Sequence, residues 1–198
     1  MELLNALFTA AFDQNLVFVQ LVGMVSVILV AERPQDSFCF GGMVWAAAFL
    51  SGLIGWPLYT TLFEPWGISY LAPMAYLVVG VAVSYVIGAV MATGKERSVR
   101  DRIYMMASVV ALNAALLAVP MGNAAVAATS TFDVALGSSF GAGMGAFIAI
   151  VAFAFLRDRI DERLVPGVLR GLPITLVTAS LVALAFTGVA GIAGGLFV

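Results

Sequence analysis

The stretch NLVFVQLVGMVSVILVA, residues 15–31, decides the fold. It is an apolar run broken only by one Gln and one Ser, and the charged and proline residues 32–34 end it. The polar residues 13–15 interrupt the chain between this run and the apolar residues 4–12. About 20 apolar residues cross a bilayer as a helix, so the whole segment is too long for one simple span. The pattern is typical of a discontinuous membrane helix whose two pieces are joined by irregular backbone.

Composition places the chain among polytopic membrane proteins with little mass outside the bilayer. Hydrophobic residues make up 63% of the 198 residues, charged residues only 10%, and the mean hydropathy is +1.09. A soluble domain carries about 25% charged residues. The chain has no histidine, which excludes imidazole metal ligation and histidine acid–base chemistry. Its single cysteine, Cys39, cannot form an internal disulfide or a multi-thiolate metal site within the chain.

Motifs of enzymes and of nucleic-acid-binding proteins are missing from the sequence. It contains no phosphate loop, dinucleotide fingerprint or nucleophile constellation. We therefore expect no catalytic residues of its own, a lipid bilayer as its surroundings and no nucleic-acid partner. The acidic Glu2 and the lack of basic residues in the first 12 positions argue against a cleaved signal peptide.

Six apolar segments predict an all-α integral membrane protein with a single domain over residues 1–198. The predicted segments are residues 3–31, 38–63, 68–92, 103–128, 132–156 and 172–198. The most polar stretch, TGKERSVRDR (93–102), separates the third segment from the fourth. Residues 120–123, with sequence PMGN, are predicted to break the fourth segment.

The basic residues predict the orientation in the membrane. All of them fall in the first, third and fifth connections: Arg33, Lys95, Arg97, Arg100, Arg102, Arg157, Arg159, Arg163 and Arg170. With six spans these three connections share one side, and the positive-inside rule assigns that side to the cytoplasm. Both termini are therefore predicted to be extracytoplasmic.

Three spans in each half require that two repeats, if present, be inverted across the membrane plane. The first repeat would cover residues 1–92 and the second 103–198, and both would begin with an interrupted segment. Asp13 and Asn15 mark the first interruption, whereas Asn113 and Asn123 are the candidates for the second. Paired interrupted segments predict a site near the middle of the membrane. The alternative is that an Asn caps a half-helix without forming a site.

Two further features each have two interpretations. Gly137, Gly141 and Gly145 form a GxxxGxxxG pattern, which permits close helix packing either within the chain or against a partner subunit. Asp13 is the one carboxylate that could lie within the membrane and is a functional candidate for that reason. The favoured alternative places Asp13 near the outer interface, as the cap of a half-helix that begins at Leu16.

Longer motifs connect the chain to a known family. They are NLVFVQLVGM at 15–24, SFCFGG at 37–42, Asn113 within ALNAALLAV, FGAGMGAFIAIVAFAFLRDRI at 140–160 and VPGVLRGLPITLVTASLVALAF at 165–186. With these motifs the chain resembles the six-span subunits of the Rnf and Na⁺-translocating NADH:quinone reductase complexes, of the RnfA/NqrE type. The resemblance covers nearly the whole chain. It implies a subunit of an ion-translocating electron-transfer complex in a bacterial or archaeal inner membrane, with a 3+3 inverted repeat and broken helices 1 and 4.

The resemblance also implies a cofactor whose ligands this sequence lacks. Subunits of this type are expected to face an antiparallel RnfE/NqrD-like paralogue, to work with flavin-carrying subunits and to share one [2Fe–2S] cluster at the paralogue interface. The corresponding cysteine positions are Val25 and Ala114, which have no donor atom for iron. Cys39 matches neither position.

Three interpretations therefore stay open. The chain could be a cluster-less scaffold or accessory subunit of such a complex. It could be a redox subunit whose ligands come from a partner, or whose electrons cross through another cofactor. It could also be a small inverted-repeat transporter or a structural subunit of an unrelated membrane complex. The resemblance favours a subunit of an electron-transfer assembly. Because the cluster ligands are missing, we favour the role of a cluster-less scaffold or accessory subunit within it.

Overall fold

The computed structural model describes residues 2–24, 28 and 34–196, and in these ranges the chain is helical. The helices are α1 (Glu2–Phe8), α2 (Pro34–Leu58), α3 (Ala72–Ala92), α4 (Arg97–Ala111), α5 (Ala115–Ala125), α6 (Phe132–Asp158) and α7 (Leu172–Leu196). Wider π-helical turns extend α1 over Thr9–Asp13 and α2 over Tyr59–Phe63. Short 3₁₀ turns cover Ser69–Leu71, Glu162–Leu164 and Gly167–Leu169.

Four helical stretches of the described chain are long and apolar enough to cross a membrane. They are Asp36–Phe63, Ser69–Ala92, Arg97–Ala125 and Phe132–Asp158, and a shorter apolar stretch covers Leu172–Gly188. The second, third and fifth predicted segments agree with these stretches within two residues, the fourth begins six residues earlier than predicted, and the sixth begins at Leu172 as predicted. The polar stretch 93–102 differs from the prediction, because only its first four residues lie outside a helix and α4 begins at Arg97. Arg and Lys are good helix formers, so charge alone does not end a helix.

The prediction that residues 120–123 break the fourth segment is wrong. Helix α5 continues through Pro120, and the interruption lies earlier, at residues 112–114 between α4 and α5. A proline inside a helix leaves the carbonyl four residues earlier without its N–H partner. That carbonyl belongs to Leu116, and it accepts a hydrogen bond of 2.6 Å from the buried Ser51 hydroxyl of α2. A neighbouring helix therefore supplies the missing donor and lets α5 stay intact.

Helices α2 and α6 form the central pair around which the others pack. Their contact is made of fully buried side chains, namely Phe40, Met43, Val44 and Ala47 of α2 and Ala146, Ala149, Ile150 and Phe153 of α6. Gly143 brings the two backbones together, since a Cβ at this position would lie 2.9 Å from the Trp45 carbonyl oxygen. Within lipid the hydrophobic effect does not drive helices together, so van der Waals contact from close packing of this kind stabilises the pair.

Three glycines of α6 form a groove that receives the first segment. A Cβ at Gly137, Gly141 or Gly145 would overlap a backbone carbonyl oxygen of that segment, at Leu3, Leu7 and Ala11 respectively. Both sets of residues repeat every four positions, so one ridge of the first segment follows one groove of α6. The structure thus places the GxxxGxxxG pattern at a contact within the chain.

Candidate functional site

The first interruption is built around Asn15, which is fully buried. Its Nδ2 donates to the Ala11 carbonyl at 2.9 Å, which closes the preceding helical turn. Its Oδ1 accepts from the backbone N–H groups of Val17 and Phe18, at 3.0 and 3.1 Å. One amide therefore satisfies backbone groups on both sides of the break, where the regular helix ladder stops. The cap is Asn15, so the prediction that Asp13 caps a half-helix beginning at Leu16 is wrong.

The chain then turns irregularly before it becomes helical again at Met24. Leu21 has a φ of +57° and Gly23 a φ of +76°, both in the left-handed region. Glycine adopts this region without steric cost, whereas the Cβ of a leucine there clashes with the backbone. Strain of this kind persists only where the surrounding structure imposes it, and it is common at functional sites.

The second interruption repeats the chemistry of the first. Asn113 is buried between α4 and α5, and its Oδ1 accepts the backbone N–H of Ala115 at 2.9 Å. The side chain thereby replaces the carbonyl that a continuous helix would offer to this N–H group. Asn113 was one of the two predicted candidates for this break, and the other, Asn123, lies within α5.

The two interruptions meet in space, which sequence alone does not reveal. A Cβ at Gly23 would overlap the Asn113 side-chain oxygen and lie 3.0 Å from its nitrogen. Gly23 therefore serves two purposes, because it permits the left-handed turn and leaves room for the amide of the other break. The structure brings Asn15, Gly23 and Asn113 into one region where two pieces of irregular backbone lie side by side.

This region lies deep within the apolar part of the chain and is flanked by exposed residues. Leu112 lies ten positions after Arg102, the last charged residue of α4, a length of about 15 Å at helical rise. That is about half of a hydrocarbon core of roughly 30 Å. Leu112 is 88% exposed and Leu21 is 63% exposed, and Ala114 between α4 and α5 is exposed as well. We call the exposed residues beside the contact of Gly23 with Asn113, namely Leu21, Leu112 and Ala114, the break face.

The described residues at the break face offer no donor set for an iron–sulfur cluster. Ala114 carries only a methyl group, and residue 25, a valine, lies outside the described residues. Cys39 lies in α2 one turn after Asp36, which forms an ion pair with Arg102 at the start of α4. It is thus at the charged end of the helices, away from the break. Within the described ranges no three Cys, Asp or Glu side chains come together as a metal site.

The other predicted polar positions lie outside the break face. Asp13 ends the first π-helical turn and is half-buried, and its Oδ1 has no hydrogen-bond partner among the described residues. Asn123 is buried and joins α5 to α6, since its Nδ2 donates to the Ser139 hydroxyl at 2.8 Å. Ser139 in turn donates to the Ala135 carbonyl at 2.7 Å.

Comparison with known proteins assigns the family. The family model described as "Rnf-Nqr subunit, membrane protein" matches residues 3–193. The chain belongs to the Rnf-Nqr family of membrane subunits. The motif-based resemblance is confirmed by this match, which covers both interrupted segments and all but the end of α7.

Relatives of this Rnf-Nqr subunit match most of its length at modest identity. The chain is 30% identical to one subunit of the ion-translocating oxidoreductase complex of Erwinia tasmaniensis, over 90% of this chain and 91% of that protein. It is 26% identical to one subunit of the Na⁺-translocating ferredoxin:NAD⁺ oxidoreductase complex of Acetobacterium woodii, over 96% and 98%. It is also 26% identical to one subunit of the Na⁺-translocating NADH-quinone reductase of Chlamydia trachomatis serovar D, over 97% and 82%.

Some residues that shape the site of this Rnf-Nqr subunit were not predicted from the sequence. Leu21 and Gly23 lie in an ordinary apolar run, and a single glycine there does not indicate a positive φ. Ser51 likewise gave no signal, because a serine in an apolar helix usually bonds to its own helix. A search for unpaired carbonyls four residues before each internal proline would have indicated the need for such a donor.

Proposed function

We propose that this chain is a membrane subunit of an ion-translocating Rnf/Nqr-type electron-transfer complex, in which it acts as a scaffold without a cluster of its own. The observation that carries the proposal is the meeting of the two interruptions beside the exposed Ala114, whose side chain has no donor atom for iron. Family membership supports the complex, and the names of the relatives support its ion-translocating and oxidoreductase character. The absence of donor atoms at Val25 and Ala114 supports the scaffold role.

The packing pattern supports six spans arranged as a 3+3 inverted repeat. The first segment packs against α6 and α7, which belong to the second half. The fourth segment, α4 with α5, packs against α2 and α3, which belong to the first half. Each interrupted segment is therefore held by the two uninterrupted helices of the other half. This exchange is what an inversion through the contact of α2 with α6 would produce.

The break face supports a protein partner within the membrane. Irregular backbone at membrane depth is tolerated only where protein buries it or where it lines a water-filled cavity, because lipid offers no hydrogen bonds. The break face exposes Leu112 and Leu21 on such backbone, and apolar side chains there favour a protein cover over water. We infer that an antiparallel RnfE/NqrD-like paralogue covers it, since paralogues with opposite charge bias would insert the other way up.

Because the cluster ligands are missing, we propose a structural rather than an electron-carrying role for this subunit. A shared [2Fe–2S] cluster of the family type would need two thiolates from this subunit, and the residues present do not fit it. We therefore assign this subunit the tasks of holding the partner subunits in register and of filling its half of the interface. Flavin-carrying subunits of the same complex would carry the electrons. The location that follows is the inner membrane of a bacterial or archaeal cell, with both termini extracytoplasmic.

The deciding experiment is purification of the native complex in a mild detergent. Its subunits would be identified by mass spectrometry, and iron, acid-labile sulfide and flavin would be measured on the same sample. We expect co-purification with an RnfE/NqrD-like paralogue and a flavin-carrying protein. Isolation alone, or with unrelated partners and without flavin, would overturn the proposal and favour a transport role.

Cross-linking tests the break face itself. In a Cys39→Ala background, Ala114→Cys labelled with a thiol-reactive benzophenone should photo-cross-link to the paralogue, since this reagent inserts into C–H bonds and needs no partner lysine at membrane depth. Val78→Cys is the matched control, because Val78 of α3 is 70% exposed, aliphatic and away from the interruptions. Equal cross-linking of both variants would contradict a partner at the break face. Iron bound by the membrane subunits after the peripheral subunits are stripped would contradict the cluster-less role.

A further inference from the structure

A second recess, separate from the break face, lies between α1, α5 and the first three turns of α6. It has a volume of about 460 Å³. Glu2 and Asn5 of α1 line one part of it, Asn123 and Ser138 line the opposite wall, and Gln20 of the first interruption lines it as well. About twelve residues separate Glu2 from the interruption, a depth of roughly 18 Å at helical rise. The recess therefore extends from one end of the molecule to the level of the broken helix.

Hydrogen bonds determine which atoms the recess presents. Gln20 donates its Nε2 to the Gln14 carbonyl at 3.0 Å, which leaves its side-chain oxygen as the acceptor. Asn123 donates its Nδ2 to Ser139 on α6, which likewise leaves the amide oxygen as the acceptor. Glu2 adds a carboxylate. The wall of the recess is mostly apolar, its described lining residues include no Lys or Arg, and its polar part contains the Glu2 carboxylate and the amide oxygens of Gln20 and Asn123.

The charged residues at this end of the molecule are acidic, as is Glu2 in the recess. Every basic residue lies in or beside the three connections assigned to the cytoplasm, so the opposite end carries Glu2, Glu64 and Asp133 without any Lys or Arg. A recess of one charge sign with low-dielectric walls concentrates ions of the opposite sign. One carboxylate with neutral oxygens suits a monovalent cation, because divalent cations are held by more charge.

We propose that this recess is a water-filled vestibule that admits hydrated monovalent cations from the extracytoplasmic side to the level of the broken first helix. The proposal deepens the proposed function, on which it rests for the orientation of the chain. The acceptor oxygens of Glu2, Gln20 and Asn123 replace part of the hydration of the entering ion. The irregular backbone of the first interruption then has water on the vestibule side, which satisfies groups that lipid would leave unpaired.

Thiol accessibility in oriented membrane vesicles tests this proposal. In a Cys39→Ala background, Ala118→Cys probes the deep wall of the recess and Ser138→Cys probes a level closer to its mouth. A cationic trimethylammonium-ethyl methanethiosulfonate and an anionic sulfonatoethyl methanethiosulfonate serve as the probes, each rate being normalised to the reaction with a small thiol in solution. We expect reaction at both positions from the extracytoplasmic side, about tenfold faster with the cationic probe. Glu2→Gln should lower this preference several-fold.

Controls separate the possible failures. Val78→Cys on the exposed side of α3 should react with neither probe when it faces lipid. Lack of reaction at both Ala118→Cys and Ser138→Cys would overturn the proposal, because lipid or a partner would then fill the recess. Equal rates for the two probes, or reaction from the cytoplasmic side only, would overturn it as well. The complex can still purify with its flavin-carrying partner in these cases, so failure of the vestibule is distinguishable from failure of the proposed function.

Discussion

Replacing Ser51 by Ala tests how α5 tolerates its proline. The Ser51 hydroxyl is buried and donates to the Leu116 carbonyl at 2.6 Å, and Pro120 has no N–H with which to take that carbonyl. The substitution removes one oxygen atom and leaves almost no cavity, so the loss of stability measures the cost of leaving the Leu116 carbonyl without a donor. An unsatisfied buried acceptor costs about 1–3 kcal/mol, and hydrogen bonds between membrane helices reach about 1.7 kcal/mol. We expect Ser51→Ala to lower the free energy of unfolding by about 1–2 kcal/mol.

Ser84→Ala is the matched control. Ser84 is also fully buried, and its hydroxyl donates to the Gly80 carbonyl at 2.8 Å within the same helix, α3. That carbonyl keeps its place in the backbone ladder of α3 when the hydroxyl is removed, so no acceptor is orphaned. We expect Ser84→Ala to cost less than about 0.5 kcal/mol.

The assay is equilibrium unfolding in dodecylmaltoside with increasing sodium dodecyl sulfate, followed by circular dichroism. A double-mutant cycle with Pro120→Ala adds a sharper readout, because alanine restores the N–H that Leu116 lacks. In that background the cost of Ser51→Ala should fall by about 1 kcal/mol. An equal cost of Ser51→Ala with proline and with alanine at position 120 would refute the reasoning.

Three further predictions use the same unfolding assay. Gly141→Ala should lower the free energy of unfolding by about 1–3 kcal/mol, because the new Cβ would lie 2.8 Å from the carbonyl carbon of Leu7. The control Gly122→Ala places its Cβ in open space and should be neutral or stabilising by up to about 1 kcal/mol. Equal effects of the two substitutions would contradict the packing of the first segment against the groove. Leu21→Gly should stabilise by about 1 kcal/mol by relieving the left-handed backbone, and a loss of stability would contradict that strain. Gly23→Ala should lower the free energy of unfolding by more than about 1 kcal/mol, because of its positive φ and the overlap of the new Cβ with the Asn113 side chain. Adding Asn113→Ala should remove the overlap but not the backbone strain, so the costs of the two substitutions should not be additive.

The positions of the breaks show how far local patterns carry. Asn15 and Asn113 stand out as polar side chains in apolar runs, and their capping bonds are local, within three residues. Both breaks were therefore open to prediction from the sequence. The proline in α5 misled the prediction because its compensating donor comes from Ser51, 65 residues before the carbonyl that it satisfies. A short sequence window therefore never contains both Ser51 and Pro120.

The sequence by itself determined the membrane class, the positions of the apolar segments and the absence of thiolates at Val25 and Ala114. These follow from properties that each residue carries with it, namely hydropathy, helix propensity and donor atoms. Only the tertiary structure decided that Gly23 lies against Asn113, that Gly141 receives the backbone of the first segment and that polar side chains from α1, α5 and α6 line one recess. Those contacts depend on which distant surfaces fit closely, and dispersion and hydrogen bonding between helices select them only when the whole bundle packs.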